Sequence, residues 1–376
     1  MTAPKSALEL TRTLMCFNTI NPPGEERLCA QHLGTILENA GFSISYHEFA
    51  DRRASLVARI GGNMDKPPLC FTGHIDTVPL GAMPWSTDPF AGEIGDGKLY
   101  GRGSSDMKSG VAAFATAVLQ LAPRLQSGPG VVLVITAGEE TGCEGAYYLA
   151  GLHDVLGQAG AIVVAEPTAN YPCVGHKGAL WLKAQTRGVT AHGSMPERGV
   201  NAVYKAARAI CELESYDFNV DRHEVLGLPT LNVGIVRGGL NINSVPDEAE
   251  ISIDIRTIPE LEHEALRARL QGYLGDEVKI SPIVDVESVW TDPADNWVQE
   301  VFATMGPLLN ESLEPRTATF FTDAAALKPA YGGPPTVILG PGEPEMAHKT
   351  DEYCIVDRIE QAVEANVNIT KQWCKL

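Results

Sequence analysis

In the first half of the chain, segments with apolar residues at helical spacing alternate with short apolar runs. The segment from Glu25 to Ala40 carries leucine and isoleucine at helical spacing, and a second helical pattern covers Met107 to Leu125. Short, continuously apolar runs predict buried strands at Leu56–Ile60, Leu69–Gly73, Val131–Thr136 and Ala161–Ala165. Because such strands alternate with helices, we predict an α/β fold with a mixed, largely parallel central sheet flanked by helices.

From about Lys177 the pattern changes, and the predicted elements follow the order β-α-β-β-α-β. They are Leu180–Thr186, Asn201–Leu213, Thr230–Val236, Glu250–Arg256, Glu260–Leu274 and Val278–Val284. This order matches the ferredoxin-like α+β arrangement, which can fold as an inserted unit. The first pattern then resumes, with helices at Asp295–Leu309 and Val356–Trp373 and a strand at Thr336–Leu339. We therefore predict a discontinuous catalytic domain, residues 1–176 and 287–376, that carries an inserted domain, residues 177–286.

The excess of acidic over basic residues limits the classes of partner that this protein can bind. Asp and Glu number 47 against 29 Lys and Arg, so the formal net charge is −18. A field of that sign repels phosphate backbones and anionic membranes, which argues against nucleic acid and membrane partners. A cation site also gathers carboxylates that would otherwise repel one another, so part of this excess could be local.

The amino-terminal segment and the cysteines indicate the cellular compartment of the protein. Met1 to Leu14 mixes charged residues with short apolar stretches, and no apolar run approaches the roughly 20 residues that span a bilayer. The eight cysteines are scattered and form no C-x-x-C pair. We expect a soluble cytoplasmic protein with reduced thiols and without a signal peptide.

Histidine and carboxylate side chains gather at the predicted strand ends and in the loops that follow them, where open α/β sheets place their sites. The candidates are His74, Asp76, Asp106, Glu139, Glu140, Glu166 and His348. Each has an ordinary alternative when taken singly. Asp106 could cap the helix that follows it, and Glu139 and Glu140 could be solvated loop acids.

Together the candidates indicate a metal centre. Two histidines and three or four carboxylates form a mixed nitrogen and oxygen set that suits zinc, cobalt or manganese better than calcium or magnesium. One ion would leave several carboxylates unused, whereas a carboxylate shared between two ions would organise a dinuclear centre. The adjacent pair Glu139-Glu140 could then supply one ligand and one base.

At these positions the sequence resembles the M20 metallo-aminoacylases and peptidases, in particular the group of acetylornithine deacetylase and succinyl-diaminopimelate desuccinylase. The resemblance covers nearly the whole chain and is closer to acetylornithine deacetylase. Its motifs, in family order, are Gly73–Pro79, Gly101–Lys108, Glu139-Glu140, Ala165–Thr168, His176–Gly178, Ala191–Ser194, Asn243–Pro246, Asp254–Arg256 and Leu339–His348.

The resemblance implies a set of metal ligands. Asp106 would bridge two divalent ions, with His74 and Glu166 completing one site and Glu140 and His348 completing the other. Zinc is the expected metal, with cobalt or manganese as alternatives.

The resemblance also implies the reaction. A metal-bound hydroxide would hydrolyse the amide of an N-acyl amino acid, with Glu139 as general base and Asp76 holding His74 in its tautomer. The alternatives within the family are a succinyl-diaminopimelate desuccinylase and a dipeptidase or aminopeptidase. A non-catalytic binding homologue is a further alternative, although every expected ligand is present.

The inserted domain matches the family's lid, which implies a homodimer formed through this domain. His192 resembles the residue that polarises the substrate carbonyl in the partner's active site, and Asn243 and Arg256 resemble substrate-binding groups. A guanidinium can bind a substrate carboxylate in a bidentate manner, but Arg256 could equally be a surface residue paired with Asp254 or Glu250.

One stretch departs from both named relatives. The desuccinylase motif Gly-Gly-Thr-Ser-Asp-Gly is replaced by Thr319–Ala324, in which Thr322 is a candidate substrate-binding residue. Phe320 and Phe321 add two aromatic rings, so a bulkier N-acyl amino acid or a dipeptide would also suit the predicted pocket.

Overall fold

The computed structural model describes residues 6–62 and 65–376. Residues 1–5 lie outside the described residues. They are part of the amino-terminal segment in which we expect no signal peptide. The chain divides into two compact units. The first comprises the described residues up to Gly175 together with Trp290–Ala318 and Thr322–Leu376, and the second comprises His176–Val289 and Thr319–Phe321.

The helices follow the predicted apolar periodicity, with three that the sequence analysis missed: α1, α4 and α8. Their bounds are α1 Ala7–Met15, α2 Arg27–Asn39, α3 Lys108–Leu125, α4 Glu144–Ala150, α5 Ala202–Glu214, α6 His263–Leu274, α7 Asn296–Leu309, α8 Ala324–Ala330 and α9 Val356–Cys374. Two 3₁₀ turns lie at Pro196–Arg198 and Pro344–Met346.

The strands include several short ones that carry little periodicity. Their bounds are β1 Ser43–Ala50, β2 Arg53–Ile60, β3 Leu69–His74, β4 Glu93–Gly95, β5 Lys98–Tyr100, β6 Val131–Thr136, β7 Ala161–Val164, β8 Gly175–His176, β9 Gly178–Arg187, β10 Thr230–Gly238, β11 Glu248–Thr257, β12 Val278–Val286, β13 Val289–Trp290, β14 Thr336–Ile338 and β15 Tyr353–Ile355.

A six-stranded sheet forms the centre of the first unit, in the order β1-β2-β6-β3-β7-β14. Strands β6, β3, β7 and β14 are parallel, while β1 and β2 run antiparallel at one edge. Every residue of β3, β6 and β7 is buried, which explains why their sequences are mainly apolar. The predicted mixed, largely parallel sheet flanked by helices is confirmed.

Helix α3 packs closely over the end of β7. A Cβ on Gly110 would lie 2.1 Å from the carbonyl oxygen of Ala165, so only glycine fits in this first turn of the helix. Phe114, one turn further along, stacks on Phe71 of β3 with ring centroids 5.8 Å apart. These contacts place the beginning of α3, and the loop before it, at the carboxyl ends of the central strands.

The second unit contains a four-stranded antiparallel sheet in the order β10-β11-β9-β12. With α5 between β9 and β10, and α6 between β11 and β12, this is the ferredoxin-like arrangement that the element order predicts. Strand β10 lies at one edge of this sheet. Several of its apolar side chains are exposed, among them Ile235 and Val236.

The boundaries of the two units differ slightly from those predicted. His176, residues 287–289 and Thr319–Phe321 belong to the second unit, whereas the sequence places them in the catalytic domain. A physical reason is visible for the last segment, because the Phe321 ring packs edge-on against Trp181 of β9 with centroids 6.5 Å apart. The functions assigned to the two domains stay predictions.

Over residues 6–62 and 65–376, no helix is both long enough and apolar enough to cross a membrane.

Candidate metal centre

Three of the predicted ligands and the predicted base lie at one edge of the central sheet because of its parallel topology. His74 is the last residue of β3, Glu139 and Glu140 follow β6, and Glu166 follows β7. Strand β3 pairs in parallel with both β6 and β7, so the three carboxyl ends are neighbours. The structure thus brings together side chains that are separated by up to about 90 positions in the sequence.

Asp106 reaches the same edge from the loop between β5 and α3. Gly101 begins this loop with φ of 137°, and a Cβ there would lie 2.5 Å from both Met15 Cε and the carbonyl oxygen of Pro89. Met107, not Asp106, is the N-cap residue of α3, and it makes no side-chain capping bond. The capping alternative for Asp106 is therefore wrong.

Asp106 takes part in two groups of possible ligands. Its Oδ1 lies 3.1 Å from His74 Nε2, which in turn lies 3.8 Å from Glu166 Oε1. Its Oδ2 lies 3.5 Å from His348 Nε2, which lies 3.0 Å from Glu140 Oε2. Within each group the candidate ligand atoms all lie within 4.8 Å of one another. The two oxygens of one carboxylate therefore face two separate clusters.

Glu139 lies beside the first cluster without belonging to either. It is buried, and its Oε2 lies 3.9 Å from His74 Nε2. The Cys143 thiol donates to its Oε1 over 4.0 Å. Glu139 thus offers a carboxylate at the edge of the centre that is not committed to the ligand groups.

Asp76 is completely buried and does more than orient one histidine. Its Oδ1 lies 3.4 Å from His74 Nδ1, as the orienting role requires. It also accepts hydrogen bonds from the backbone N–H groups of Glu139 and Glu140, at 3.2 Å each, and from Asn21 Nδ2 at 2.9 Å. Asp76 therefore connects the end of β3 to the loop that carries the two glutamates.

The electrostatics of the cluster are those of mutually repelling carboxylates with two imidazoles among them. Burial lowers the pKa of His74, but the carboxylates of Glu166 and Asp106 outweigh it and raise that pKa well above its usual value. Burial raises the pKa of Glu139, and the nearby Glu166 and Glu140 raise it further. For His348, hydrogen bonds to Asp106 and Glu140 raise the pKa to about 10.

The donor set fits two divalent transition-metal ions. Each cluster supplies one imidazole nitrogen and carboxylate oxygens, with Asp106 common to both. Buried carboxylates at this density are costly without cations to compensate them. Mixed nitrogen and oxygen ligands suit zinc, cobalt or manganese.

We expect metal-free protein to bind two zinc ions per chain, with an affinity that rises between pH 6 and pH 8. Zinc binds neutral imidazole, whereas the raised pKa of about 10 keeps a proton on His348 at these pH values. Each increase in pH therefore lowers the cost of releasing that proton. Metal analysis and chelator competition at several pH values measure both quantities. His348→Gln should show a shallower pH dependence, and an affinity that is flat with pH in the unmodified protein would contradict the expectation.

The predicted catalytic residue His192 and the predicted substrate-binding residue Asn243 lie in the second unit, where the structure places them side by side. His192 forms an isolated antiparallel bridge with Ser244, and the N–H of Gly193 donates to the carbonyl of Asn243 over 2.7 Å. His192 is exposed, and its Nδ1 accepts from the N–H of Ser194 at 3.2 Å. The proton of the neutral imidazole then resides on Nε2, which is left available as a donor.

Arg256 and Thr322 are held by local partners. Arg256 Nε lies 3.0 Å from Asp254 Oδ1, so the pairing considered as an alternative from the sequence is present. The Thr322 side chain is completely buried in the first unit, and its hydroxyl oxygen accepts from the N–H of Ala324 at 3.2 Å. It stabilises the start of α8, so a substrate-binding role for Thr322 stays a prediction without a contact that supports it.

Sequence analysis missed several buried polar residues around the centre. Asn21 binds Asp76, and Asp323 accepts from the Thr136 hydroxyl at the end of β6. Glu352 contacts the loop that carries Asp106. A carboxylate or amide in a predicted loop is ordinarily solvated, so nothing in the sequence distinguishes these three from surface residues.

Most of the chain, including this centre, matches a known protein family. The model of a family described as Peptidase family M20/M25/M40 matches residues 70–372. This range includes every residue of the two ligand groups.

Two relatives align with most of the chain. The acetylornithine deacetylase of Proteus mirabilis (strain HI4320) is 32% identical over 360 residues, which cover 91% of this chain and 89% of the relative. The probable succinyl-diaminopimelate desuccinylase of Staphylococcus aureus (strain Mu50) is 30% identical over 349 residues, which cover 82% and 85%.

A solved structure agrees with the fold. The M20 family metallo-carboxypeptidase Sso-CP2 of Sulfolobus solfataricus superposes with a TM-score of 0.80. The match covers 99% of this chain and 100% of the other at 18% identity, so it supports the architecture alone.

Proposed function

The chain belongs to peptidase family M20/M25/M40, and from that premise we propose that it removes the acyl group from an N-acyl amino acid, in the manner of an acetylornithine deacetylase. The chain is a metallohydrolase of linear amides, as its relatives indicate. The choice of substrate follows the relatives named above, since both act, by their names, on acylated amino acids.

The observation that carries the proposal is the position of Asp106 between the two ligand groups. In the proposed centre, His74, Asp106 and Glu166 hold one ion, and Asp106, Glu140 and His348 hold the other. When bound, the two ions would lower the pKa of a shared water and polarise the substrate carbonyl. We propose zinc, with cobalt or manganese as functional substitutes.

Glu139 is proposed as the general base. Its carboxylate belongs to neither ligand group, yet its Oε2 lies only 3.9 Å from His74 Nε2. It would take a proton from the attacking water and then deliver that proton to the departing amine nitrogen. Asp76 supports this arrangement by holding His74 and the backbone of Glu139 together.

His192 is proposed to donate its Nε2–H to the substrate carbonyl oxygen as negative charge develops there. Its Nδ1 is occupied by the N–H of Ser194, which supports the required tautomer. Asn243 is proposed to bind the same part of the substrate, and its backbone contact with Gly193 supports this.

We further propose that the second unit forms a homodimer and that His192 acts on the partner's substrate. The dimer is supported by apolar side chains on the surface of this unit, where Tyr204 is 66% exposed and Leu240 and Ile242 are essentially fully exposed. The eight free cysteines are consistent with work in the reducing cytoplasm.

A hydrolysis screen tests the proposed function. N-acetyl, N-succinyl and N-formyl amino acids and unblocked dipeptides are offered to protein loaded with zinc, cobalt or manganese. We expect the highest kcat/KM for an N-acetyl amino acid. A preference for the succinyl series or for dipeptides would favour the alternatives within the family. Hydrolysis of none of these amides would refute the proposal.

Arg256 provides a test of whether the substrate carries a free α-carboxylate. If Arg256 binds that group, Arg256→Ala should lower kcat/KM about 10- to 100-fold, which is the loss expected when a charge-assisted hydrogen bond is removed. Methyl esterification of the substrate should lower the activity of the unmodified enzyme by a similar factor. It should have little effect on the variant, because the partner is already absent. Steady-state kinetics of both enzymes with both substrates measures this coupling.

Asp254→Asn is the matched control, since it removes the partner that Arg256 has in the structure. This variant should change kcat/KM by the same factor for the free acid and for the methyl ester. Equal hydrolysis of acid and ester by the unmodified enzyme would return Arg256 to a surface pair with Asp254.

A further inference from the structure

Glu352 is a completely buried carboxylate whose two oxygens accept four hydrogen bonds. Oε1 accepts from the backbone N–H groups of Ser105 at 2.7 Å and Asp106 at 3.0 Å. Oε2 accepts from the N–H of Gly103 at 3.0 Å and from Arg102 Nη1 at 2.7 Å. All four donors belong to the short loop that ends in Asp106.

Strand pairing explains how this residue reaches that loop. Strand β15 pairs antiparallel with β5, and Tyr353 lies opposite Tyr100. One step outward along the same ladder, the N–H of Gly101 donates to the carbonyl of Glu352 over 2.8 Å. The loop that begins at Gly101 therefore turns over the Glu352 side chain. Because His348 lies only four residues before Glu352, the same segment carries a second candidate ligand.

We propose that Glu352 is a positioning residue that aims the Asp106 carboxylate at both ligand groups. This inference rests on the metal centre of the proposed function. Asp106 must present Oδ1 to one group and Oδ2 to the other, where the distances to His74 and His348 are 3.1 and 3.5 Å. A bridging ligand tolerates errors of only about 0.5 Å before binding suffers. The bond from the Asp106 N–H to Glu352 restrains the backbone from which that side chain projects.

The arrangement differs from an ordinary buried ion pair. Three of the four donors are backbone groups of the loop, so Arg102 supplies a minority of the contacts. Burial raises the pKa of Glu352 to about 7, while the Arg102 guanidinium and the backbone N–H groups act in the opposite direction. Arg102 is also held elsewhere, since its Nη2 donates to the carbonyl of Pro79 over 3.1 Å.

Two substitutions separate positioning from simple pairing. Glu352→Gln replaces one acceptor oxygen by an NH₂ group that opposes the backbone donors, whereas Arg102→Met breaks the same ion pair but leaves the three N–H bonds intact. We expect Glu352→Gln to lower the affinity for zinc about 10- to 100-fold, as loss of support behind a ligand does. Arg102→Met should leave the affinity within about threefold of the unmodified protein, since the ligand loop keeps its support.

Zinc affinity is measured on purified full-length protein by competition with a chromophoric chelator, and the geometry of the centre by the visible absorption of bound Co²⁺. The melting temperature of the metal-free proteins reports stability separately. No substrate is used, so the result is independent of whether the proposed amide hydrolysis is correct.

Glu26→Gln is the matched control. Glu26 is also completely buried and paired with an arginine, Arg53, at 3.1 Å, but the hydrogen bonds to its carboxylate come from Arg53 and not from the loop that carries Asp106. Its loss should lower stability without changing zinc affinity. Equal losses of affinity in Glu352→Gln and Arg102→Met, or unchanged affinity in Glu352→Gln, would overturn the proposal.

If Glu352→Gln fails to fold, Glu352→Asp decides the question. It keeps the negative charge but is one methylene short of the four donors. A loss of zinc affinity of about tenfold is expected from the same loss of support, and affinity equal to that of the unmodified protein would overturn the proposal.

Discussion

Glu139→Gln should retain both metal ions and lose most of its turnover, by about 100- to 10,000-fold in kcat. The amide is nearly the same size as the carboxylate but cannot accept and return the proton of the attacking water. The ligand groups do not include Glu139, and its N–H bond to Asp76 involves only the backbone, so the centre should stay assembled. Metal analysis and steady-state kinetics on the same preparation measure both effects.

Glu140→Gln is the matched control, one position along the same loop. Glu140 Oε2 lies 3.0 Å from His348 Nε2 within the second ligand group, so this variant should lose metal as well as activity. A Glu139→Gln protein with full activity would exclude Glu139 as the base. A Glu139→Gln protein that loses a metal ion would identify Glu139 as a ligand instead.

Hybrid dimers of two inactive variants should recover activity if His192 acts across the subunit interface. Chains with Glu139→Gln and chains with His192→Ala should each be inactive alone. In a hybrid dimer, one of the two sites combines an intact Glu139 with an intact His192 from the other chain. Random exchange makes half of the dimers hybrid, so the mixture should reach about a quarter of the unmodified activity. Differently tagged chains, co-expressed and purified through both tags, provide verified hybrids.

Mixing Glu139→Gln with Asp106→Asn is the corresponding negative control. Both residues lie beside His74 in the first unit of the same chain, so every site in such a hybrid contains a defect. These dimers should stay inactive. Should the Glu139→Gln and His192→Ala hybrids stay inactive as well, His192 does not act on the partner's site.

Much of the fold could be predicted from the spacing of apolar residues. Strand Val131–Thr136 agrees with the prediction at both ends, and helix α3 begins within one residue of its predicted start. Short elements were missed, among them α4 and the strands β4, β5 and β15, and so was helix α1, although one of its faces is apolar and buried. A strand of three residues shows hardly one period of alternation, and β15 exists because it pairs with β5, which is a long-range contact.

The ligand residues could be named from the sequence because they follow buried strands, and because their motifs resemble a known family. Their division into two groups could not be derived from strand order. It depends on the rotamer of Asp106, which directs one oxygen at His74 and the other at His348. The residues behind the ligands were also beyond sequence analysis, since buried Asn21 and Glu352 look like ordinary loop residues until their partners are known.

By itself the sequence determined the class of protein. Unbroken apolar strands require a sheet covered on both faces, and polar residues directly after such strands must lie together at its carboxyl edge. Only the tertiary structure decided which further polar groups support the ligands. Glu352 contacts the Asp106 loop across nearly 250 positions of chain, and Asp76 joins His74 to the glutamate loop through bonds to backbone N–H groups. Backbone donors are present at nearly every residue, so their partners are set by how the chain packs and leave no mark in the sequence.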